Sequence, residues 1–411
     1  MRQSHFRRGF GLRGLVHDRL VGEYHSDLVD SMRARSYTLT AGGLTVRLAR
    51  EFGFCYGVDR AVEYAYETRV MFPGRRIHLV GEIIHNPHVN ARLESLGIAI
   101  LRRGATGEFE FGAVAPDDVV IVPAFGVTRE AFQRLDAVGC VLVDTTCGSV
   151  LNVWKRVESY ARDGFTAVIH GKYQHEETRA TASQVNQYPG GRYVVVRDMS
   201  DARMLCTFIE RGSGAEEIRR HFRAASSPGF DPERDLERIG VANQTTMLSG
   251  ESLAIAAELR TAMVARHGEA EAERRFRTFD TICSATQDRQ DAVLKLLDDS
   301  VDVMVVIGGY NSSNTTHLAA LCATRVPTFH VEDSSGIDPE SGVIRHKAAG
   351  ADAETSTGGW LGPEVRVVGV TAGASTPNSR VGEAIERIFA TRGIDVTGLG
   401  GGAAAEAGAG G

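Results

Sequence analysis

An α/β fold built on small, mostly parallel sheets is what this 411-residue chain predicts, and three observations carry the prediction. Apolar runs of strand length recur along it, among them RIHLVGEII, DDVVIVPAF, GCVLVDTT, FTAVIHG, RYVVVRD, VDVMVVIGG and VRVVGVTAG. Most are followed by a polar turn and a stretch of helical periodicity, the alternation that parallel sheets flanked by helices require. The residues able to do chemistry fall in those turns, at the carboxyl ends of strands, where such sheets gather ligands. Three of the six cysteines, Cys55, Cys147 and Cys283, also stand where an apolar run gives way to a polar turn, one in each third of the sequence.

The length is too great for one ordinary core, and at roughly 100 to 200 residues per domain it suggests two to four domains. Hydrophobic residues at 43% and charged residues at 24% are ordinary for a soluble globular protein. A net charge of −6 argues against general nucleic-acid binding. No run of about 18 apolar residues is present and the opening lacks the apolar core of a secretory signal, so neither a membrane span nor export is expected. The expected compartment is the cytoplasm, a bacterial cytosol before a plastid stroma, where a reducing environment keeps cysteines as thiols.

Taken in order, the Arg-rich opening MRQSHFRRGFGLRGLVHDRL is short and poor in Ser and soon meets acidic residues, which disfavours a transit peptide; residues 1–44 read as an N-terminal extension. The charged stretches 210–238 and 333–363, which carry Gly and Pro, read as surface excursions. The tail GLGGGAAAEAGAGG has too little apolar surface to offset its ordering entropy and reads as disordered, within an expected tail 393–411. Strand, turn and helix recur often enough to predict three similar α/β units.

Dispersed single cysteines form a metal site only if the fold brings them together, and no CxxC pair is present. A lone cysteine is more often a small buried hydrophobe, and Cys140, Cys206 and Cys322 fit that reading in their apolar segments. Cys55, Cys147 and Cys283 sit instead beside Gly, Thr and Asp. A 4Fe-4S cluster normally takes four cysteines, so three would leave one iron open to a substrate oxygen.

The segment HGKYQHEET places His170, His175 and Glu177 within eight residues. Alone it reads as a surface turn or a zinc site; beside an open metal, a carboxylic acid with a histidine neighbour could protonate a leaving hydroxyl. The clusters GGYNSSNTTHL and TAGASTPNSRV each lie between a strand and a helix. Their Ser, Thr and Asn suit helix capping, Pro377 suits a first helical turn, and the same groups could cradle a diphosphate. No GxxxxGK[ST] loop and no strand-linked GxGxxG occur, so neither a nucleoside triphosphate nor a dinucleotide is expected and reducing electrons must come from outside. GEIIHNPHVNARL offers His85, to a phosphate or a helix end, with His88 three residues on. VANQTTML offers Thr245 and Thr246, hydroxyls that could orient a carboxylate or a water.

Together GFCYGVDRA, IIHNPHV, DTTC, HGKYQHEET, NQTTM, TICSATQDRQ, GGYNSSNT and GVTAGASTP resemble, in order and spacing, the 4-hydroxy-3-methylbut-2-enyl diphosphate reductases of the LytB/IspH family, over about Thr45 to Arg392. Phe125 in VPAFGV and the ANQTTML context look like the plant and cyanobacterial branch; the common bacterial pattern has a histidine donor where this chain has Phe125. The resemblance implies three α/β lobes with pseudo-threefold symmetry, at 45–146, 147–280 and 281–392, the first strand and Cys55 loop being able to pair with the third lobe. Each lobe would supply one cysteine, Cys55, Cys147 or Cys283, to a central 4Fe-4S cluster with one open iron. Glu177 would supply or relay a proton as water leaves, with His175 and Thr245 orienting the hydroxyl and Glu177. His85, Ser312, Ser313, Asn314 and Ser375 would hold the diphosphate. The products would be isopentenyl and dimethylallyl diphosphate, the last step of the non-mevalonate pathway. Reduced ferredoxin or flavodoxin would be the electron donor and the chain a monomer or homodimer, with no nucleic acid or membrane partner. A non-catalytic iron-sulfur sensor or a zinc-dependent hydrolase using His175, Glu177 and a cysteine are the alternatives.

Overall fold

The computed structural model describes residues 5–105 and 107–399, and the chain divides into two compact units. The first comprises Met1–Gly9, Met71–Ile83 and Glu94–Cys283; the second comprises Phe10–Val70, Ile84–Leu93 and Ser284–Gly411.

Two all-parallel sheets organise the first unit. One runs His5–Phe6, Val141–Asp144, Val119–Val122, Ile77–Val80, Ile98–Leu101. The other runs Phe276–Thr278, Ile239–Asn243, Thr166–His170, Tyr193–Val196. The second unit holds a five-stranded sheet, Thr328–Val331, Val303–Ile307, Val367–Ala372, Leu44–Leu48, Thr38–Ala41, parallel except for its last hairpin pair. A three-stranded antiparallel sheet of Ile337–Asp338, Val343–His346 and Thr355–Gly358 is added to it.

Edge additions aside, the three parallel sheets share one wiring. In each, four strands lie in the order second, first, third, fourth by connectivity, and in the last sheet the fourth place is taken by Leu44–Leu48 from near the start of the chain. The strands form where the apolar runs predict them: Val119–Val122, Thr166–His170 and Val303–Ile307 are buried at every residue, the mark of strands covered on both faces. The period-two alternation divides each strand between two cores. Val168, Val194 and Val241 pack with the helices Met199–Arg211 and Ser249–His267, while Ala167, Ile169 and Val195 pack with Val153 and Val157 of Gly148–Arg162. In the second unit Val303, Val305 and Ile307 face one core and Met304 and Val306 another.

Several regions are more ordered than their composition suggests. The 1–44 extension is part of the fold over its described residues: His5–Phe6 pairs in register with Leu142 and Val143, and Thr38–Ala41 closes a hairpin on Leu44–Leu48. Ser26 caps the helix Asp27–Ala34, whose Leu28, Val29 and Met32 are buried in the second unit's core. The carboxylate of Glu67, 1% exposed, accepts the N–H groups of Phe10 and Leu12 at 2.7 and 2.8 Å. The stretch 210–238 is not merely a surface excursion, since Ile218, Phe222, Phe230 and Leu236 are core residues. In 333–363, likewise, Ile337, Ile344, Trp360 and Leu361 are buried. In these places a few well-spaced apolar residues outweigh a polar average, because burial depends on which face they share. Of the expected disordered tail 393–411, Val396 is buried and Thr397–Leu399 forms a 3₁₀ turn; residues 400–411 lie outside the described residues. No helix among the described residues is long and apolar enough to cross a membrane.

Replacing Glu67 with Ala removes the acceptor of two backbone N–H groups, and at about 1–3 kcal/mol for each unsatisfied donor the variant is expected to lose roughly 2–4 kcal/mol. Urea unfolding of the two proteins checks this, and an unchanged midpoint would show that the N-terminal segment is not held by Glu67.

Candidate active site

The cysteines separate into two kinds. Cys140, Cys206 and Cys322 are buried, and burial pushes their thiols up, those of Cys206 and Cys322 to about 12. Such groups stay protonated and make poor ligands. Cys55, Cys147 and Cys283 are half-buried and not in disulfides, and each is the residue immediately before a helix: Tyr56–Met71, Gly148–Arg162 and Ser284–Asp298. A helix start presents backbone N–H groups and a partial positive charge to whatever anion is held there.

The backbone repeats this arrangement in all three sheets. The N–H of Cys147 donates to the carbonyl of Ala124 at 2.9 Å, that of Cys55 to Ala374 at 3.2 Å and that of Cys283 to Thr245 at 3.3 Å. Each acceptor lies two residues beyond the third strand of the sheet concerned, after Val122, Ala372 and Asn243. One turn geometry, produced three times from unrelated local sequences, thus presents a cysteine at a strand-to-helix junction.

In the first unit Glu177 and Thr245, distant in sequence, meet. Glu177 lies in the helix Glu176–Ala182 and is 2% exposed. It accepts the Thr245 N–H at 2.6 Å and the Thr245 hydroxyl at 3.0 Å, one on each carboxylate oxygen. His175 caps the same helix, its Nδ1 accepting the Glu177 N–H at 3.2 Å. Nδ1 is therefore an acceptor, and the proton of the neutral ring is assigned to Nε2. The ring of Phe125 meets that of His175 edge-on, 6.1 Å between centroids at 77°. His170 is fully buried in a central strand, its Nδ1 2.8 Å from the Ser252 hydroxyl.

In the second unit the five residues expected to hold phosphate come together. Ser312 caps the helix Ser313–Ala323, accepting the N–H and the hydroxyl of Thr315 at 3.3 and 3.0 Å. Asn314 accepts the N–H of Ala374 at 2.9 Å, and the hydroxyl of Ser375, the next residue, donates to the His85 carbonyl at 3.1 Å. All five side chains are buried, yet Ser313 Oγ and Asn314 Nδ2 have no hydrogen-bond partner among the described residues. Buried polar atoms are rarely left so, and two at the start of one helix fit an oxyanion ligand. Glycine permits the close approach. A Cβ on Gly373 would lie 1.9 Å from Thr315 Oγ1, and one on Gly309 would lie 2.8 Å from the His85 carbonyl oxygen.

Sequence reasoning passed over the groups that hold these side chains. Gln244 is fully buried; its amide oxygen accepts the Lys172 N–H and the Thr178 hydroxyl and its amide nitrogen donates to Thr246, which locks the turn before Thr245. His330 donates through Nε2 to the Gly308 carbonyl at 2.8 Å, and burial pushes its pKa down to about 4, so it stays a neutral donor through the physiological range. Arg289 is buried in the helix that follows Cys283. Gln244 is the second residue of the NQTTM motif and could have been noticed; His330, inside an apolar strand, carried no signal.

The family described as LytB protein matches residues 46–389, which is most of the chain. The chain belongs to the LytB family. Among the relatives of this LytB chain, the 4-hydroxy-3-methylbut-2-enyl diphosphate reductase of Gloeobacter violaceus is 47% identical over 400 residues, 96% of this chain and 94% of that protein. The protein of the same name from Thermosynechococcus vestitus is 44% identical over 393 residues, 95% and 96% of the two chains. Cyanobacterial relatives agree with the branch read from Phe125. Among solved structures, the E-1-hydroxy-2-methyl-but-2-enyl-4-diphosphate reductase of Plasmodium falciparum shares the fold at a TM-score of 0.61 and 20% identity, covering 83% of this chain and 86% of that one. A second, (E)-4-hydroxy-3-methyl-but-2-enyl diphosphate reductase, described as the terminal enzyme of the non-mevalonate pathway, is 28% identical at a TM-score of 0.50, over 84% and 98% of the chains.

Gly373→Ala tests the packing of this LytB site. Overfilling it is expected to cost about 1–3 kcal/mol and to displace the start of Ser313–Ala323. A thermal midpoint and affinity for a diphosphate ligand equal to the parent protein's would show that the close approach is not required.

Proposed function

We propose that this chain reduces 4-hydroxy-3-methylbut-2-enyl diphosphate to isopentenyl diphosphate and dimethylallyl diphosphate, the last step of the non-mevalonate isoprenoid pathway. The observation that carries the reading is the pair of orphaned buried groups, Ser313 Oγ and Asn314 Nδ2, in a chain whose relatives along nearly its whole length are named for that reaction. Neither a sensor nor a zinc hydrolase accounts for both facts.

The diphosphate takes its hydrogen bonds from Ser312, Ser313, Asn314 and Ser375 and from the ring of His85, with the N–H groups at the start of Ser313–Ala323 opposing its charge. Phe125 contributes no donor, in contrast to the histidine of the common bacterial pattern. Three cysteines outside any disulfide, each at a helix start, are a donor set suited to a 4Fe-4S cluster with one iron open, and Cys55, Cys147 and Cys283 would hold it. When bound, the cluster supplies one-electron transfer and Lewis acidity toward an oxygen.

The rest falls to the chain. Replacing the allylic hydroxyl by hydrogen consumes two electrons and two protons and releases water. Glu177, gripped by Thr245 on both oxygens, holds the proton destined for the departing hydroxyl oxygen, since hydroxide alone is a poor leaving group. His175, with Nδ1 engaged, offers an Nε2–H donor that orients the substrate oxygen. The electrons come from outside, from ferredoxin or flavodoxin, and the enzyme works in the cytoplasm as a monomer or homodimer. We assign one parallel sheet to each lobe, with boundaries near 45–146, 147–280 and 281–392, the strand Leu44–Leu48 and the Cys55 turn that follows it joining the third.

The decisive experiment is anaerobic: oxidation of a reduced viologen by the purified brown protein on addition of the substrate, with both isoprenoid diphosphates identified. A cluster-replete protein that oxidises none of the dye would overturn the assignment. Changing any one of Cys55, Cys147 or Cys283 to Ser is expected to abolish turnover and brown colour together; normal activity in a variant refutes that cysteine's role. Glu177→Gln is expected to keep the colour while losing a factor of about 10²–10⁴ in rate, and loss of the cluster as well would show that Glu177 serves the metal rather than the proton.

A further inference from the structure

Among the described residues, Arg289 is a buried cation without a counter-ion. It is 4% exposed on the helix Ser284–Asp298. One terminal nitrogen donates to the Ala285 carbonyl and the other to the Gly53 carbonyl, both at 2.7 Å. Its Nε has no partner, and no carboxylate pairs with it among the described residues. A guanidinium stays charged in proteins, and burying an unpaired charge is costly enough that native folds seldom do it without compensation. The chain segments it joins indicate where compensation comes from. Gly53 is two residues before Cys55, and Ala285 is two residues after Cys283. Covalent reach keeps the Cα of Cys55 within about 7 Å of that of Gly53.

We propose that Arg289 is the fixed counter-charge of the cluster that Cys55 and Cys283 help to hold, and that it raises the cluster's reduction potential. The inference rests on the cluster assignment made under Proposed function. Three thiolates on a 4Fe-4S core make an anion, and each electron accepted from a one-electron donor makes it more negative. A permanent positive charge near two of the ligands stabilises the reduced form more than the oxidised one. Burial keeps the charge unscreened by salt. At a separation of about 10 Å and an effective dielectric of ~20, one charge shifts the reduction equilibrium on the order of tenfold. Arg289 acts through the cluster and the Cys55 turn, so it is a positioning and tuning residue rather than a catalytic one.

The test is a potentiometric titration of the anaerobic holoenzyme followed by electron paramagnetic resonance, for the parent protein and for Arg289→Gln, Arg289→Met and Arg289→Lys. The neutral variants are expected to bind an electron about tenfold less readily, a midpoint lower by about 59 mV for a one-electron couple, with Arg289→Lys near the parent value. Loss of the cluster from both neutral variants but not from Arg289→Lys carries the same meaning, that the charge is what is needed. Neutral variants that titrate at the parent midpoint overturn the proposal, as does loss of the cluster from all three, which would make the forked bond to Gly53 and Ala285 the requirement. A parent protein with no cluster signal is a separate outcome: it removes the cluster assignment itself, and this proposal with it.

Discussion

Everything in the candidate site depends on the hydrogen bond that a strand-end turn makes to the neighbouring strand of its sheet. Cys55, Cys147 and Cys283 each donate their backbone N–H to a carbonyl two residues past the third strand of a parallel sheet. This bond sets where the strand-to-helix turn stops and the helix begins, and so places a thiol at a helix start. A parallel sheet makes the arrangement repeatable, because every strand ends at the same edge and every crossover returns through a helix. Three sheets with the same wiring therefore yield three equivalent cysteines.

The two polar groups obey the same logic with different chemistry. Around Glu177 the side chains are held by protein groups: Thr245 donates to each carboxylate oxygen, and Gln244 is bonded at its oxygen and its nitrogen. That is a rigid acid. Around Ser313 and Asn314 the bonding is left incomplete, with a hydroxyl and an amide nitrogen buried and unmatched. Such groups lower the stability of the empty fold, by about 1–3 kcal/mol each, and are restored by a ligand that accepts their hydrogen bonds. The contrast separates a braced carboxyl group from buried donors still open to an oxyanion.

Much of this was legible in the sequence, for identifiable reasons. Continuous apolar runs such as VVIV and VMVVI declare strands buried on both faces, and the polar residues after them declare strand ends. Cys140, Cys206 and Cys322 could be set aside because their neighbours are apolar. The ordered extension and the buried residues of 210–238 and 333–363 were not legible, since a charged average hides a few apolar residues that share one face. Nor were the supporting groups: Arg289 meets Gly53 from 236 residues away, and His330 is an unremarkable histidine in an apolar strand.

By itself the sequence determined the fold class, the LytB membership and which residues stand at strand ends, because periodicity and motif spacing are local properties of a chain. Only the tertiary structure decided which of those residues act together. Glu177 finds Thr245 across 68 positions and Ser375 finds His85 across 290. It also decided which polar atoms, among the described residues, remain unsatisfied and which cation is buried without an anion. Those are properties of burial, and burial is settled by how sheets and helices pack.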